Sequence, residues 1–239
     1  MRARWLWLVH DDLVAEPDAL AEMLAVGRPS KTIGALGPKQ VAYDDPSRLL
    51  ELGIRATRSS RRADDVLLDE IDQGQHDDRS EVLAVGTAGM LVRQSDWERT
   101  GGLAPALGPF GDGLEFGRRI RRAGGRVVVV PSAVVRHQQS ALGSDASPST
   151  RDRESFEARR TAQLFNWLVW APAWQLPLLV LWLPILTVLR VVARLLTRQP
   201  RLAKAEVGAF FGVVALAGAV RRQRRQVNFN ETYISIYDQ

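Results

Sequence analysis

The segment from Phe110 to His137 restricts the fold of this chain more than any other part of its sequence. It runs from an acidic turn through a short basic helix to a glycine stop, and then into a strand. Asp112 is suited to cap the helix, and Gly124 stands where a left-handed residue would end it. Val127 to Val130 is an unbroken β-branched run, which is typical of a strand buried on both faces. The segment therefore predicts a helix that leads directly into a buried strand.

The first half of the chain shows the same alternation of strands and helices. Arg4 to Val9 predicts a buried strand that ends at an acidic pair, and Leu20 and Leu24 predict the inner face of a helix that closes at Gly27. The other predicted elements are strands at residues 32–36 (ending at the Gly37–Pro38 turn), 81–85 and 90–93, a short helix with capping-box spacing between Ser95 and Glu98, and a variable hairpin or loop over 44–80. This alternation indicates an α/β sheet.

Composition narrows the class of protein. The chain has no cysteine, which excludes a disulfide framework and a thiolate metal site. Its formal net charge is +5, and arginines are concentrated in Arg151–Arg160 and Arg190–Arg225, beside apolar tracts. That arrangement suits an anionic membrane surface. A nucleic-acid groove is the alternative, but no aromatic-studded basic sheet or zinc finger accompanies the arginines, so no nucleic-acid partner is expected.

Residues 164–189 contain no charged side chain for 26 positions, whereas about 20 apolar residues span a bilayer core. Four tryptophans in this tract favour the membrane interface, and three prolines (Pro172, Pro177 and Pro184) predict kinks or a re-entrant shape. A buried core helix of a soluble protein is the alternative. Residues 207–220 form a second uncharged tract of 14 residues, for which a return helix, an interfacial helix and a short tilted span all stay open.

The basic segment before the long apolar tract favours a cytoplasmic location for the preceding domain. Together these patterns predict four regions along the chain. The regions are an α/β domain over 1–145, a basic linker over 146–163, a transmembrane or membrane-associated region over 164–225 and a polar tail over 226–239.

Carboxylates follow the first predicted strand, as Asp11 and Asp12. A strand that ends in carboxylates can hold a divalent metal beside a pyrophosphate, because hard oxygen ligands suit Mg²⁺ or Mn²⁺. A solvated turn is the alternative for such a pair. A second acidic pair, Asp112 and Glu115, lies in the helix before the buried strand, and Glu115 stands four residues from Arg119, so a helix-surface ion pair is the alternative there.

Taken together, three segments resemble the acceptor half of a family 2 glycosyltransferase with the GT-A fold. They are Trp5-Leu-Trp-Leu-Val-His-Asp-Asp12, Gly86-Thr-Ala-Gly89 and the segment from Phe110 to His137. The resemblance covers roughly Trp5 to Leu142 and implies a partial GT-A (Rossmann-like) α/β domain followed by membrane-associated helices. It also implies metal-dependent transfer of a sugar from a nucleotide-sugar. Asp72-Gln-Gly-Gln75 is similar to a segment of large actinobacterial membrane glycosyltransferases.

The resemblance implies a metal site made by two strand ends. The family uses an Asp-x-Asp motif, and the matching triplet here is His10-Asp11-Asp12. Asp12 is then expected to bind Mg²⁺ or Mn²⁺, Asp11 to contact the ribose or to support the ligands, and His10 to bind the metal or to donate a hydrogen bond. His137 matches the metal-binding histidine of the family.

The resemblance also implies a general base and a substrate-binding set. Asp112 is expected to remove the acceptor proton, with Glu115 as second candidate, because Gly113 stands where the family has another carboxylate. The helix dipole is expected to favour the ionised form of Asp112. The expected substrate-binding residues are Asp11, Gly86, Thr87, Ala88, Gly89, Trp97 and Arg119. A core position is the alternative for Trp97.

The implied function is transfer of a sugar to a cell-envelope polysaccharide or a lipid-linked acceptor at the cell membrane, with the glycosyltransferase domain cytoplasmic. In the family a nucleotide-binding half precedes the strand that corresponds to residues 4–9, so we expect the chain to be part of a larger enzyme and donor binding to be impaired. A catalytically inactive, membrane-anchored piece with a binding or assembly role is the first alternative. A metal-dependent phosphoesterase that uses the same carboxylates is the second.

Overall fold

A computed structural model describes residues 3–63, 66, 67, 69–138 and 148–227. Within these residues the strands are β1 (Trp5–Trp7), β2 (Leu13–Ala15), β3 (Ile33–Ala42), β4 (Leu49–Glu51), β5 (Arg55–Ala56), β6 (Arg62–Ala63), β7 (Leu91–Arg93) and β8 (Arg126–His137). The helices are α1 (Ala19–Gly27), α2 (Gln94–Thr100), α3 (Asp112–Arg122), α4 (Pro148–Trp170), α5 (Leu176–Leu196), α6 (Pro200–Ala215) and α7 (Ala217–Gln226), with a single 3₁₀ turn at Ala173–Gln175. The chain divides into two compact units: one contains all the strands and α1 to α3, the other α4 to α7 with residues 58–61 and 105–111.

The main sheet of the first unit is mixed, which confirms the α/β fold class. Its order is β1-β7-β3-β8-β2, and β4 also pairs with β3. The long central strands β3 and β8 run parallel, from the pairing of Ile33 with Arg126 to that of Ala42 with His137. The carboxyl ends of both strands therefore meet at one edge of the sheet, where open α/β sheets bind ligands.

The valine run of β8 is buried on both faces, as its sequence predicts. Val128 and Val130 pack into one core cluster with α1, whereas Val127 and Val129 pack into the opposite cluster with Phe116 and other residues of α3. This split follows from the alternation of side chains along a strand. The helix before β8 thus covers one face of the sheet.

Both long strands continue past a proline, which corrects the prediction that the strand at 32–36 ends at Gly37–Pro38. Pro38 pairs with Val130, but the next residue, Lys39, pairs with Val134, so the register shifts at this point. Pro131 lies within the extra residues of β8. A proline cannot donate a ladder hydrogen bond, and a bulge is where a strand tolerates that loss.

Two shorter predictions are also corrected. Residues 81–85 are not a strand; they are held to the sheet edge by isolated bridges such as that of Glu81 with Val128. The helix α2 begins at Gln94 without a side-chain cap hydrogen bond, so the capping box of Ser95 and Glu98 is not formed. Instead the amide Nε2 of Gln94 donates to Oε1 of Glu98 at 2.8 Å.

The long uncharged tract is divided at Pro172, one of the three prolines that predict kinks in it. Residues up to Trp170 belong to α4, which already begins at Pro148, so most of the predicted basic linker is helical. Leu164, Phe165 and Val169 are buried in a core cluster of the second unit. Pro172 separates α4 from Ala173–Leu196, while Pro184 lies inside α5 without ending it. Most of the predicted tail (228–239) lies outside the described residues.

Among the described residues, Ala173–Leu196 is the one helix long and apolar enough to cross a membrane. Only 17% of its apolar window is buried within the protein. The pair α6 and α7 passes the same test only when counted together, and it is bent by 58°.

Candidate active site

Side chains from two segments that are distant in sequence converge at the carboxyl end of β8. His10, Asp12 and His137 each offer a ligand atom, and these atoms all lie within 4.8 Å of one another. The convergence follows from strand pairing, because Leu13 pairs with His137 and the backbone amide of Gln138 donates to the carbonyl oxygen of Asp12 at 3.1 Å. The structure thus brings together all three residues predicted as metal ligands.

The orientation of His137 is set by Gln40, a residue of β3 that is 3% exposed. Nε2 of Gln40 donates to the carbonyl oxygen of Ala88 at 3.1 Å, so its Oε1 faces Nδ1 of His137, 3.2 Å away. An amide oxygen only accepts hydrogen bonds, so Nδ1 of His137 must carry the proton. Nε2 of His137 lies 3.1 Å from Oδ1 of Asp12 and, with Nδ1 protonated, can offer a lone pair to a cation.

His10 is oriented in the opposite sense. The hydroxyl of Thr87 donates to Oδ2 of Asp112 at 3.3 Å, so its oxygen accepts from Nε2 of His10, 3.2 Å away. The proton of His10 is therefore on Nε2, and Nδ1 keeps the lone pair. The rings of His10 and His137 have centroids 5.7 Å apart at an angle of 77°.

The donor set fits a divalent transition metal. Two imidazole nitrogens and one carboxylate oxygen are ligands that suit Mn²⁺ better than Mg²⁺ or Ca²⁺, which prefer oxygen alone. Both histidines have their second nitrogen held by a protein acceptor, which is the usual support of metal-binding histidines. Asp11 is exposed and does not belong to this group, so its predicted contact to ribose or to the ligands stays a prediction.

Asp112, the predicted base, is the first residue of α3 and is 9% exposed. Burial raises the pKa of its carboxyl group, and this outweighs the lowering by the amide of Gly113, the hydroxyl of Thr87 and the nearby His10. The amide of Gly113 at the start of α3 acts in the direction expected of the helix dipole, but burial has the larger effect on the pKa. Oδ1 of Asp112 accepts from the adjacent Gly113 amide at 2.6 Å. Asp112 and His10 are joined through Thr87, so the predicted base and the metal-ligand group form one network.

Glu115 and Arg119 form the predicted ion pair, but the pair is buried instead of lying on the helix surface. Glu115 is fully buried, and the Nη2 of Arg119 lies 2.6 Å from its Oε2. The remaining donors of Arg119 reach the carbonyl oxygens of Thr100 and Gly102 at 2.5 and 2.7 Å. The pair therefore ties α3 to the end of α2, and this geometry favours the structural alternative over roles as base and substrate-binding residue.

Hydrogen bonds to Glu51 and Trp7 hold the segment 86–89 beside the site. The amide of Gly86 donates to Glu51, and the carbonyl oxygen of Gly89 accepts from the indole of Trp7 at 3.0 Å. Gly89 has φ of +85°, and a Cβ there would lie 2.8 Å from the ring of Pro38, so only glycine fits. Residues 87–89 are buried, so the small side chains are explained by internal packing; a contact of Gly86, Thr87, Ala88 or Gly89 with substrate stays a prediction.

Trp97 occupies a core position. Its ring meets that of Phe116 in an edge-to-face contact with centroids 5.4 Å apart, and it packs against the cluster on the α3 side of the sheet. This packing favours the alternative stated for Trp97 over a place in an acceptor pocket.

Sequence reasoning missed Gln40 and the neighbouring Lys39. Both are buried polar residues in a strand whose every residue is buried, and such residues need internal partners. Nζ of Lys39 lies 2.8 Å from Asp72 and 2.6 Å from Asp77. Burial by itself lowers the pKa of Lys39, but the hydrogen bonds to Asp72 and Asp77 outweigh it and raise the pKa. The aspartate of Asp72-Gln-Gly-Gln75 thus has a structural role.

A cavity of about 240 Å³ opens beside the cluster. It is lined by Ala42, Tyr43, Asp44, Arg48, Leu50, His137 and Gln138. Tyr43 is half exposed, and Nη2 of Arg48 is paired with Asp44 at 3.1 Å. The cavity lies where β3 and β8 end side by side, so a bound molecule there would touch His137.

The family model described as "Glycosyltransferase like family 2" matches residues 1–163. No curated protein matches the chain. A solved structure titled "Crystal structure of GalNAc-T7 with UDP, GalNAc and Mn2+" is similar with a TM-score of 0.42 and 15% identity, over 63% of this chain and 31% of that one. The chain therefore spans less than a third of that protein's length, and the similarity is too distant to assign a substrate or a metal.

Proposed function

The chain belongs to glycosyltransferase family 2. We propose that it contributes the metal-binding and acceptor side of a nucleotide-sugar-dependent glycosyltransferase. The observation that carries the proposal is the network of His10, Asp12 and His137 with Asp112. It combines a cation site and a carboxylate of raised pKa at the edge of the sheet where ligands bind.

In this proposal Asp12, His137 and His10 hold Mn²⁺ or Mg²⁺, with Mn²⁺ favoured by the two imidazoles. When bound, the metal supplies charge neutralisation for the departing nucleoside diphosphate. Gln40 and Thr87 hold the two histidines with their lone pairs available. Three protein ligands leave positions for water and for phosphate oxygens of the donor.

Asp112 serves as the general base. It accepts the proton of the acceptor hydroxyl as that oxygen bonds to the anomeric carbon, while the bond from this carbon to the diphosphate oxygen breaks. A raised pKa makes the carboxylate a stronger base, which favours proton transfer. In the cavity beside His137, Asp44 and Arg48 can bond to sugar hydroxyls, and the ring of Tyr43 can pack against the face of a sugar ring.

We further propose that the acceptor is a cell-envelope polysaccharide or a lipid-linked saccharide, and that the protein is attached to the cell membrane with its first unit in the cytoplasm. The apolar segment Ala173–Leu196 and the arginines that border it support this proposal.

Product analysis tests the reaction class. The protein is incubated with candidate nucleotide-sugars, Mn²⁺ and saccharide or lipid extracts, and the products are identified by mass spectrometry. Sugar joined to an acceptor, dependent on Asp112, supports the proposal. Release of free sugar phosphate instead would identify a phosphoesterase, and the absence of both products would favour the inactive alternative.

A further inference from the structure

The long apolar helix of the second unit has its charges on the inward side. Leu179 and Leu183 of α5 are buried, and further along the same face Nη1 of Arg190 lies 3.9 Å from Glu206. Arg194 lies over the ring of Phe156 in α4, 5.3 Å from its centroid. The outward side has large apolar side chains that are 46–71% exposed, namely Leu178, Leu181, Trp182, Ile185 and Val188.

The C-terminal half of α5 lies beside the polar part of α4 and α6. Nε of Arg160 donates to Oε2 of Glu206 at 3.1 Å, and these side chains are 6% and 2% exposed. The carboxyl group of Glu157 in α4 lies against the backbone of α6 at Gly208, where a Cβ would overlap with it. The charged residues of α4 and α6 are therefore at the same level as the last turns of α5.

The packing of the middle of α5 argues against its crossing a bilayer. Leu183 belongs to the same core cluster as Ala106 and Leu107, which lie in an irregular segment. If α5 stood upright, that segment would come to membrane depth, where irregular backbone exposed to lipid is avoided. The uncharged part from Ala173 to Leu189 also rises only about 25 Å, whereas the hydrocarbon core is about 30 Å thick. A helix that lies along the surface buries one apolar face in the leaflet, and the outward face of α5 is such a face.

The exposed residues of the neighbouring helix α6 indicate the type of membrane surface to which this region would bind. Its exposed stripe passes from Lys204 to Val207, Phe211 and Val214, which share one face because they are three or four residues apart. Arg201 is also exposed at the start of this helix. Cations beside exposed apolar side chains match the headgroups and upper acyl chains of an anionic leaflet.

We propose that α5 lies in the plane of one anionic membrane leaflet and does not cross the bilayer, with the basic start of α6 on the headgroups. The inference rests on the membrane attachment proposed above and deepens it by specifying the topology. Residues before and after α5 then lie on the same side of the membrane.

Thiol accessibility tests the topology, since the chain has no cysteine. Ala173→Cys and Thr197→Cys place a thiol at either end of the apolar segment, and Val188→Cys places one on its outward face. Inverted membrane vesicles from cells that express the full chain are treated with a membrane-impermeant maleimide. We expect both end positions to react before detergent is added, and Val188→Cys to react only afterwards.

Reaction of only one end before detergent would show a spanning helix and overturn the in-plane placement, while leaving the membrane attachment intact. Recovery of the unmodified protein in the soluble fraction, or its self-association without lipid, would overturn the attachment itself.

Charge reversal tests the lipid chemistry independently. Arg201→Glu with Lys204→Glu should weaken binding to vesicles of phosphatidylcholine and phosphatidylglycerol roughly tenfold or more, since each basic residue near such a surface contributes appreciably. The matched control, Arg28→Glu with Lys31→Glu, reverses two exposed charges in the first unit and should leave binding within about twofold. Equal loss in both pairs would overturn the assignment of this surface.

Discussion

At the scale of single residues, the site depends on two buried polar side chains that fix two histidines in opposite senses. Gln40 places the proton of His137 on Nδ1, and Thr87 places the proton of His10 on Nε2. The sequence identified the ligand candidates because the order of motifs was informative. It could not identify Gln40, because its role depends on the parallel pairing of β3 and β8 and on the carbonyl oxygen of Ala88.

Gln40→Leu removes the acceptor for Nδ1 of His137. We expect Mn²⁺ affinity to fall about 10- to 100-fold, the usual effect of losing such a supporting residue. Gln40→Glu should lose less, because a carboxylate also accepts from Nδ1. Electron paramagnetic resonance measures bound Mn²⁺, and ¹⁵N NMR reports which nitrogen of His137 is protonated. Gln73→Leu, at an exposed position, is the control. Unchanged affinity and an unchanged tautomer in Gln40→Leu would contradict this role.

The raised pKa of Asp112 predicts the pH dependence of transfer. A base works when it is ionised, so the rate should rise with pH through a pKa above the ordinary range of an aspartate. The Thr87 hydroxyl lowers this pKa, so Thr87→Val should move the rising limb to higher pH. Asp112→Asn should abolish this rise with pH and lower turnover by a factor on the order of 10² to 10⁴. If the rise of the rate with pH occurs at the same pH in Thr87→Val, the group whose ionisation controls the rate is not Asp112.

For the strands and helices, the sequence pattern predicted their existence better than their ends. The valine run gave a strand buried on both faces, whereas the bulge that carries both long strands past Pro38 and Pro131 arises from their mutual register. The i,i+4 spacing of Glu115 and Arg119 predicted their ion pair. Its burial depends on how α3 meets the end of α2, which local spacing does not encode.

Arg119→Met leaves the fully buried carboxyl group of Glu115 without its partner. We expect a loss of about 3–5 kcal/mol in the free energy of unfolding. Arg126→Met is the matched control, because Arg126 and its partner Glu81 are both exposed and such a pair is worth at most about 1 kcal/mol. Urea denaturation followed by circular dichroism gives both values. Similar losses in the two variants would mean that the buried pair has no special structural weight.

At the scale of the whole molecule, composition predicted a membrane-associated region but not its arrangement. The prolines of the long uncharged tract predicted its division, and the chain breaks at Pro172. Composition did not predict that the first part would be buried in a core cluster of α4, α6 and α7 while the remainder forms an exposed helix, because that burial depends on how these helices pack. The first unit, in contrast, assembles its metal-ligand group from strand ends that the motif order had already indicated.

Mn²⁺ titration of the chain tests whether His10, Asp12 and His137 form a metal site. Asp12→Asn and His137→Ala each remove one ligand, whereas Asp11→Asn changes the adjacent, exposed carboxylate as a control for charge. We predict saturable binding to the unmodified protein, at least tenfold weaker binding in the two ligand variants, and little change in the control. Equal affinity in all four proteins, with folding intact, would exclude a metal site at these residues.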